Sequence, residues 1–349
     1  MADQKLSLSV VDQSPVRQGC SAGEALWETV ALAAAVEALG YRRYWVAEHH
    51  NLPNFAGTSP EVLIGQIAAR TRSIRVGSGG VMLSHYSALK VAENFRVLSA
   101  LYPGRIDLGI GRAPGSDPLT AAALAYPGRA REVSQFPRQV TDLLAYLSEG
   151  PAEGHPFAGV RAGPTPATAP EVWLLGSRFE SAYLAAQLGL PFSYAHFFGH
   201  GVEDGPDIVA GYRKHFQPSP QLPAPLVNVT VHVLCAETEA EARRLAASRD
   251  LARLNSRLGR ANGIPPVAEA LNYPYSTGER LYIQQQRQGC IDGDPQQVRQ
   301  GLEAIAQRYQ TQDMGIVTIC HGFRERVRSY ELVAAACGIS PRSLGCGPA

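Results

Sequence analysis

The sequence lacks three features that would each point to a particular class of protein. No apolar run approaches the roughly 20 residues needed to cross a bilayer, so we expect no membrane-spanning segment. Lys and Arg form no basic block and the formal net charge is +1, which argues against a nucleic-acid-binding surface. The first residues, MADQKLSLSVVDQ, lack a basic region followed by an apolar core, so we expect no export signal.

Two further absences concern cysteine and glycine motifs. The six cysteines are scattered without a CxxC pair, which predicts reduced and mostly structural thiols in a cytoplasmic protein. The glycine turn GxGxxG, which follows the first strand in dinucleotide-binding folds, is missing. We therefore predict no nicotinamide site on this chain.

What the sequence does contain is a regular alternation of strands and helices. It has 349 residues, 45% of them hydrophobic, which is enough for one large domain over 1–349. β-Rich runs are separated by segments with apolar residues at helical spacing. The predicted strands are 6–11, 41–46, 74–83, 105–110, 172–175, 192–195, 226–235 and 315–320. Eight such units predict an α/β fold of the (β/α)8 TIM-barrel type, in which ligands bind at the C-terminal ends of the strands.

One segment does not follow this repeat. After the helix that starts near Glu239, the stretch 256–289 is rich in Gly, Pro, Asn and Gln and lacks clear periodicity. A structureless stretch of that length inside a compact domain is usually functional or mobile. We interpret it as a long insertion after the seventh strand and predict that it forms a mobile lid over the barrel mouth.

Chemically capable residues follow several of the predicted strands. Gly79 and Gly80 interrupt the third strand, and adjacent glycines weaken a buried strand unless something must approach its backbone. Arg112 follows the fourth strand in a glycine-rich turn. Residues 177–180 follow the fifth strand and match an SxxE capping box that would open the next helix. The cluster AEHHN at 47–51 follows the second strand.

Four strings then carry a resemblance to a protein family: YRRYWVAEHHN, VGSGGVML, LYPGRIDLGIGRAPGSD and VWLLGSRFESAYLAAQLGLPF. In this order and spacing they resemble the bacterial luciferase-like flavin-dependent monooxygenases, in particular the single-component subgroup with the AEHH and GRAPGSD signatures. The resemblance covers nearly the whole chain. It implies a (β/α)8 barrel that binds FMN at its C-terminal face, in agreement with the strand count.

The resemblance also implies a cofactor site. The Gly79–Gly80 bond matches the family's non-prolyl cis peptide beneath the flavin ring, with a strand bulge as the alternative. Arg112 matches the arginine that binds the FMN phosphate, with a surface ion pair as the alternative. Ser177, Arg178 and Ser181 match the second phosphate contact, at a helix N-terminus. Many members carry a small polar residue at the position of Arg178, so either its side chain or only its backbone N–H would reach the phosphate.

His49 matches the family's catalytic histidine. Imidazole suits proton transfer near neutral pH because its unperturbed pKa is about 6.5, and we expect Glu48 to orient or charge it. The alternative is a structural histidine that is hydrogen-bonded at the strand end. We predict no metal site, because His49 and His50 are adjacent and point to opposite faces, and no third ligand is suitably spaced.

The implied activity is that of an FMNH2-dependent monooxygenase. It would use O2, through a flavin C4a-hydroperoxide, to oxygenate a small organic substrate of the aldehyde, ketone or aromatic and secondary-metabolite type. A separate reductase would supply the reduced FMN, since the chain has no nicotinamide-binding motif. The family often dimerises, and Ala-rich helices near 61–69 and 88–101 could pair across a two-fold axis, so we expect a homodimer. Two alternatives stay open: a deazaflavin-dependent oxidoreductase that transfers hydride, and a flavin-binding protein without catalytic activity.

Overall fold

The computed structural model describes residues 5–113, 116–199 and 202–340, and its central element is a closed barrel of parallel strands. The nine strands among these residues are β1 (Ser7–Asp12), β2 (Arg43–Val46), β3 (Arg75–Met82), β4 (Ile106–Gly111), β5 (Glu171–Gly176), β6 (Phe192–Ala195), β7 (Val227–Cys235), β8 (Cys290–Gly293) and β9 (Asp313–Val317). Strands β1 to β7 pair in chain order, and β9 closes the barrel by pairing with both β7 and β1. The predicted (β/α)8 TIM barrel is therefore confirmed.

Helices follow the strands around the outside of the barrel. The α-helices of the described residues are α1 (Ala22–Leu39), α2 (Pro60–Arg70), α3 (Ala88–Leu101), α4 (Pro118–Ala125), α5 (Phe136–Leu147), α6 (Phe179–Gln187), α7 (Gly205–His215), α8 (Glu239–Arg257), α9 (Val267–Asn272), α10 (Thr277–Arg287), α11 (Pro295–Tyr309) and α12 (Phe323–Ala336). Within this part of the chain, no helix combines the length and the apolar character that crossing a membrane requires.

The helix boundaries follow from local sequence. Helix α1 begins with a capping box between Ser21 and Glu24 and ends at Gly40, whose φ of 94° is left-handed. Helix α11 begins in the same way, with Asp294 as its cap and a proline in its first turn. These signals fix where each helix starts relative to the preceding strand.

The N-terminal end of the barrel is closed by a buried ionic network. The guanidinium of Arg43 lies 3.0 Å from Asp313, 3.0 Å from Glu171 and 3.2 Å from Asp107. The indole N–H of Trp45 donates to Asp107 at 2.8 Å. All three carboxylates come from the first or second residue of a strand, so this end of the barrel is filled. The cavity lined by Gly79, Gly80 and Arg112 lies at the opposite, C-terminal end.

The insertion after the seventh strand is not structureless, and that expectation was wrong. It contains the short helices α9 and α10, and α10 begins with a capping box between Ser276 and Glu279. Strand β8 follows it and, among the described strands, pairs only with the C-terminal half of β7, outside the closed barrel. Helix α9 has only 6 residues, too few for a periodic pattern, whereas the SxxE pattern from Ser276 to Glu279 was a signal for α10 that the sequence reasoning missed.

Candidate active site

A cavity, called the first cavity, lies at the C-terminal ends of β3, β4 and β5. Its volume is about 380 Å³, within the roughly 300 to 1,000 Å³ typical of ligand pockets. Its wall includes all six residues predicted to hold the cofactor: Gly79, Gly80, Arg112, Ser177, Arg178 and Ser181. The rest of its lining is mostly apolar and includes Val11, Met82, Leu175, Phe197 and Phe198. The cavity thus combines a group of hydrogen-bond donors with a largely apolar interior.

The peptide bond between Gly79 and Gly80 is cis. It lies where the pairing between β3 and β4 shifts register, between Ser78 and Val81. A Cβ atom on Gly80 would lie 2.7 Å from the carbonyl oxygen of Gly109, closer than real Cβ contacts allow. Glycine is therefore required where this backbone lines the cavity.

Arg112 stands directly after β4 and forms a weak ion pair with Glu180. Its Nη2 atom lies 3.5 Å from Oε2 of Glu180, whose side chain is 66% exposed. An exposed pair of this kind is worth roughly 0–1 kcal/mol. An anion in the cavity can therefore compete for the guanidinium at small cost.

The turn from β5 into α6 differs from the predicted capping box. The cap of α6 is Arg178, which makes no side-chain capping bond, so Ser177 lies one residue before the cap. Glu180 consequently occupies the second helical position and contacts Arg112 instead of reaching back to a serine. Backbone N–H groups in the first turn of α6 are therefore not capped by a side chain and are available to an anion.

Gly176 brings this helix start close to the strand end. A Cβ atom on Gly176 would lie 2.7 Å from Cβ of Ser181. Only glycine lets the first turn of α6 pack directly on the end of β5, where Arg112 follows the neighbouring strand β4. Positive charge, hydroxyl groups and helix N–H groups converge there, as expected for a phosphate site.

His49 lies in a second cavity of about 310 Å³, beside the first. The two cavities share the side chains of Phe197 and Phe198 in their walls. The structure therefore places His49 next to the six cofactor candidates and not among them. The remaining residues of this second cavity include Gln13, Leu52, Asn54, Phe55, His232, Arg249, Arg253, Arg257, Ile264, Tyr282, Gln286 and Ile319.

Glu48 was expected to orient or charge His49; its charge does raise the pKa of His49, but the carboxylate is bonded elsewhere and does not orient the ring. The carboxylate of Glu48 accepts hydrogen bonds from Tyr86 at 2.8 Å and from the backbone N–H of Met82 at 3.0 Å, and it lies 2.7 Å from Nε2 of His50. Adjacent residues of an extended segment point to opposite sides, so Glu48 shares a side with His50. The ring of His49 stacks on Phe55 instead, with centroids 4.8 Å apart.

The electrostatic environment keeps His49 neutral at pH 7. Burial lowers the pKa of His49 to about 4. The charge of Glu48 opposes this with a smaller raising effect, and His50 adds a small lowering effect. Its Nδ1 atom is buried and has no hydrogen-bond partner among the described residues. His49 lines the second cavity, so its neutral imidazole can accept a proton from, or hydrogen-bond to, a molecule there.

Sequence reasoning did not identify His232 and Arg253 as cavity residues. The one available signal was the alternation of polar residues along β7, with Asn228, Thr230 and His232 at every second position. The pKa of His232 lies well below its ordinary value because of burial and the charges of Arg253 and Arg249. Arg253 lies on α8 and reaches the barrel mouth only through tertiary packing. Within the described ranges, no group of three or more His, Cys, Asp or Glu residues is arranged to hold a metal ion.

Comparison with known proteins gives full-length relatives. The family model described as luciferase-like monooxygenase matches residues 6–312. The YwcH protein of Bacillus subtilis is 47% identical over 332 residues, which cover 95% of this chain and 99% of that protein. An N-acetyl-S-alkylcysteine monooxygenase of Bacillus subtilis is 37% identical over 331 residues, which cover 95% and 98%.

Solved structures agree with this grouping. The crystal structure of apo-MsnO8 superposes with a TM-score of 0.88 at 40% identity and covers 97% of this chain and 100% of that chain. Two more distant structures share the fold alone. The oxygenating constituent of 3,6-diketocamphane monooxygenase from Pseudomonas putida, in complex with FMN, has a TM-score of 0.70 at 18% identity, covering 96% and 98%. An F420-dependent secondary alcohol dehydrogenase has a TM-score of 0.62 at 14% identity, covering 96% and 99%. The chain belongs to the luciferase-like monooxygenase family, and that membership assigns it to the flavin-dependent monooxygenases.

Proposed function

We propose that this protein is an FMNH2-dependent monooxygenase that uses O2 to oxygenate a small organic substrate. The observation that carries the proposal is the composition of the first cavity, in which Arg112 and the uncapped start of α6 meet beside the cis Gly79–Gly80 backbone. A flavin mononucleotide has the matching chemistry, with a dianionic phosphate at one end and a flat, largely apolar ring at the other.

The residues present fit the phosphate end of such a cofactor. Arg112 can offer two parallel N–H groups, and its present partner Glu180 is exposed and weakly held. Ser177 and Ser181 supply hydroxyl donors from the same turn. Arg178 lines the cavity, which supports the participation of its side chain as a second cation. The glycine backbone at 79–80 leaves the wall of the cavity free of side-chain bulk.

The second cavity is proposed to hold the substrate. When bound, reduced flavin would supply the electrons and the site at which O2 is activated. His49 faces the second cavity as a neutral imidazole, so we assign it the role of proton acceptor or hydrogen-bond partner for the substrate at neutral pH. Phe197 and Phe198 stand between the two cavities and keep that boundary apolar, which helps to exclude water from it.

The segment 256–289 is proposed to act as the lid of this site, within a single domain over 1–349. It contributes Ile264, Tyr282 and Gln286 to the wall of the second cavity. Removal of this wall would expose the cavity to solvent, so movement of the lid would admit substrate and its closure would exclude water.

Three further parts of the proposal concern the cellular setting. A separate reductase supplies the reduced FMN, which the missing nicotinamide motif supports. A cytoplasmic location is supported by the unpaired state of the five cysteines in the described residues. A homodimer through α2 and α3 is supported by exposed apolar side chains on both helices, Val62 and Leu101 among them.

The test of the cofactor is an anaerobic titration of the purified protein with reduced FMN and, separately, with a reduced deazaflavin. Preferential binding of reduced FMN, followed by transfer of isotopically labelled oxygen from O2 into an organic product, supports the monooxygenase. Preferential binding of the deazaflavin contradicts it and favours hydride transfer, and flavin binding without any product under a broad substrate screen favours a binding protein.

A further inference from the structure

The second cavity has a charge pattern that bears on its ligand. Its lining residues include three arginines, all on α8, and no Asp or Glu. Arg249 is neutralised, because its guanidinium contacts Asp292 at 2.7 Å and Asp250 at 3.1 Å. Within residues 5–113, 116–199 and 202–340, the other two, Arg253 and Arg257, form no ion pair within 4.0 Å.

Arg253 is the more enclosed of these two unpaired arginines. It is half-buried, whereas Arg257 is exposed and lies over the ring of Tyr282 at 4.4 Å. The contacts of Arg253 are to neutral acceptors, with Nη1 at 3.5 Å from Sγ of Cys290 and Nη2 at 3.2 Å from the carbonyl oxygen of Phe197. A partly buried guanidinium without a counter-charge is unfavourable, and an anionic ligand would relieve this cost.

The positive character of the cavity at neutral pH comes from the arginines alone. The pKa of His49 is lowered to about 4 by burial, and that of His232 is well below its ordinary value. Both rings are therefore neutral at pH 7. Arg253 and His232 line the same cavity, and the charge of Arg253 contributes to the lowered pKa of His232.

The rest of the wall has no charged residue and is mostly apolar, with Gln13, Asn54, Ser256 and Gln286 as uncharged polar residues. The side chains that surround the space between the histidines and α8 include Leu52, Phe55, Phe197, Ala252, Ile264 and Ile319. A ligand that packs against the apolar part of this wall and also pairs with Arg253 has an apolar body and an anionic end.

We propose that the substrate of this enzyme is an organic carboxylic acid, with its carboxylate bound by Arg253 and its apolar part packed against Phe55 and Ile319 toward His49. The planar guanidinium matches a carboxylate with two parallel hydrogen bonds. This inference rests on the proposed function, because it assumes that the second cavity holds the substrate.

The test measures binding to the purified protein by calorimetry, and does not need turnover. The probes are phenylacetate, hydrocinnamate and octanoate, each paired with its uncharged primary amide, at neutral pH. We expect at least one acid to bind the wild type roughly ten- to a hundredfold more tightly than its amide, as one charged hydrogen-bond pair provides. In Arg253→Gln this ratio is expected to fall to about one, the value for no charge recognition, through loss of acid affinity with the amide unchanged.

Two further variants separate charge recognition from damage to the fold. Arg253→Lys keeps the charge but loses the planar fork, so the acid-to-amide ratio is expected to be intermediate; it also supplies the test if Arg253→Gln does not fold. Arg243→Gln removes an exposed arginine of the same helix, paired with Glu239, and is expected to keep the wild-type ratio.

Equal binding of acid and amide in every pair, or no binding of any acid, overturns the inference, as does an unchanged ratio in both Arg253 variants. Reduced FMN is titrated into the same samples. A wild type that binds reduced FMN but shows no acid preference refutes the carboxylate alone, whereas a wild type that does not bind reduced FMN refutes the proposed function itself.

Discussion

The carboxylate of Glu48 lies 2.7 Å from Nε2 of His50. This contact fixes one of two adjacent histidines and leaves the other, His49, on the opposite side with its Nδ1 unpartnered among the described residues. The AEHH motif therefore contains one histidine with a structural role, His50, and one that faces a cavity, His49. The predictions for the two residues differ accordingly.

Replacement of His49 by Ala is expected to act on chemistry and not on cofactor binding. Because His49 lines the second cavity, we expect a loss of product formation of roughly 10²- to 10⁴-fold, the range for a proton-transfer group, with an unchanged Kd for reduced FMN. The measurement is product and hydrogen peroxide per flavin oxidised in a single turnover, with a substrate identified by screening. An unchanged product yield together with weakened FMN binding would assign His49 to the cofactor instead.

The matched control is His50→Ala. It removes a partner of the buried carboxylate of Glu48, so we expect a loss of unfolding free energy of about 1–3 kcal/mol. His49→Ala is expected to leave the unfolding midpoint closer to that of the wild type, since its ring makes no hydrogen bond to lose through Nδ1 within the described part of the chain.

Acidification is expected to destabilise the protein below about pH 6.5, which is the unperturbed pKa of histidine. Burial lowers the pKa of His49 and of His196 to about 4 each, and it lowers the pKa of His232 well below its ordinary value. The unfolded chain therefore binds more protons than the folded one in this range. The contribution of these histidines to the free energy of unfolding is fully present above their pKa in the unfolded chain, and it is lost as the pH falls toward their pKa in the folded protein. Urea midpoints between pH 7.5 and 5 test this, and a midpoint that rises on acidification contradicts it.

His196→Asn provides a variant for the same series. His196 is buried and contacts the hydroxyl of Tyr309 at 2.9 Å. The substitution is expected to lower stability at pH 7.5 but to give a shallower loss on acidification, because one proton-binding group of the unfolded chain is gone.

The ionic network at the N-terminal end of the barrel is expected to be essential to stability. Arg43→Leu removes the cation that Asp107 and Asp313 share, so Asp107 keeps Arg75 but the buried Asp313 loses its ion pair. Breaking one side of a buried network typically costs about 3–5 kcal/mol. The exposed Arg328, paired with Glu237, gives the control: Arg328→Leu is expected to leave the unfolding free energy nearly unchanged, because water screens an exposed pair. Equal losses of unfolding free energy in Arg43→Leu and Arg328→Leu, measured by chemical unfolding, would argue against the special role of the network.

The proposed homodimer is tested at the exposed faces of α2 and α3. Val62 and Leu101 are 67% and 65% exposed, and a charge at either position would be buried unpaired in a dimer through these helices. We expect Val62→Glu or Leu101→Glu to convert a dimer into a monomer by light scattering. Leu281→Glu, on the exposed face of α10, is expected to leave the dimer intact; a monomeric wild type would contradict the assembly.

Parts of the fold were accessible from sequence because they depend on local patterns. The nine buried residues of β7 form an uninterrupted β-rich run, and the candidate residues Arg112 and Ser177 directly follow strands, where a parallel barrel places its ligand. The cis geometry between Gly79 and Gly80 also agrees with the expectation drawn from the family resemblance.

Other features depend on contacts that local patterns do not encode. The four residues of β8 pair with β7 alone among the described strands and show no alternation. The expected capping box failed because α6 begins one residue later than the pattern predicts, with Arg178 as its cap. Glu180 then contacts Arg112, a residue that is distant in sequence. Arg253 reaches the second cavity only because α8 packs across the barrel mouth, so its chemical role could not be read from its neighbours along the chain.

The most direct test of the central claim compares reduced FMN with reduced riboflavin, which differs only by the phosphate. Because Arg112 and the start of α6 are assigned to that phosphate, the wild type is expected to bind reduced FMN roughly a hundredfold more tightly, as two charged hydrogen bonds would provide. Most of this preference is expected to disappear in Arg112→Gln, with riboflavin binding unchanged. Equal Kd values for the two flavins in the wild type would contradict the assignment of the first cavity as the FMN site.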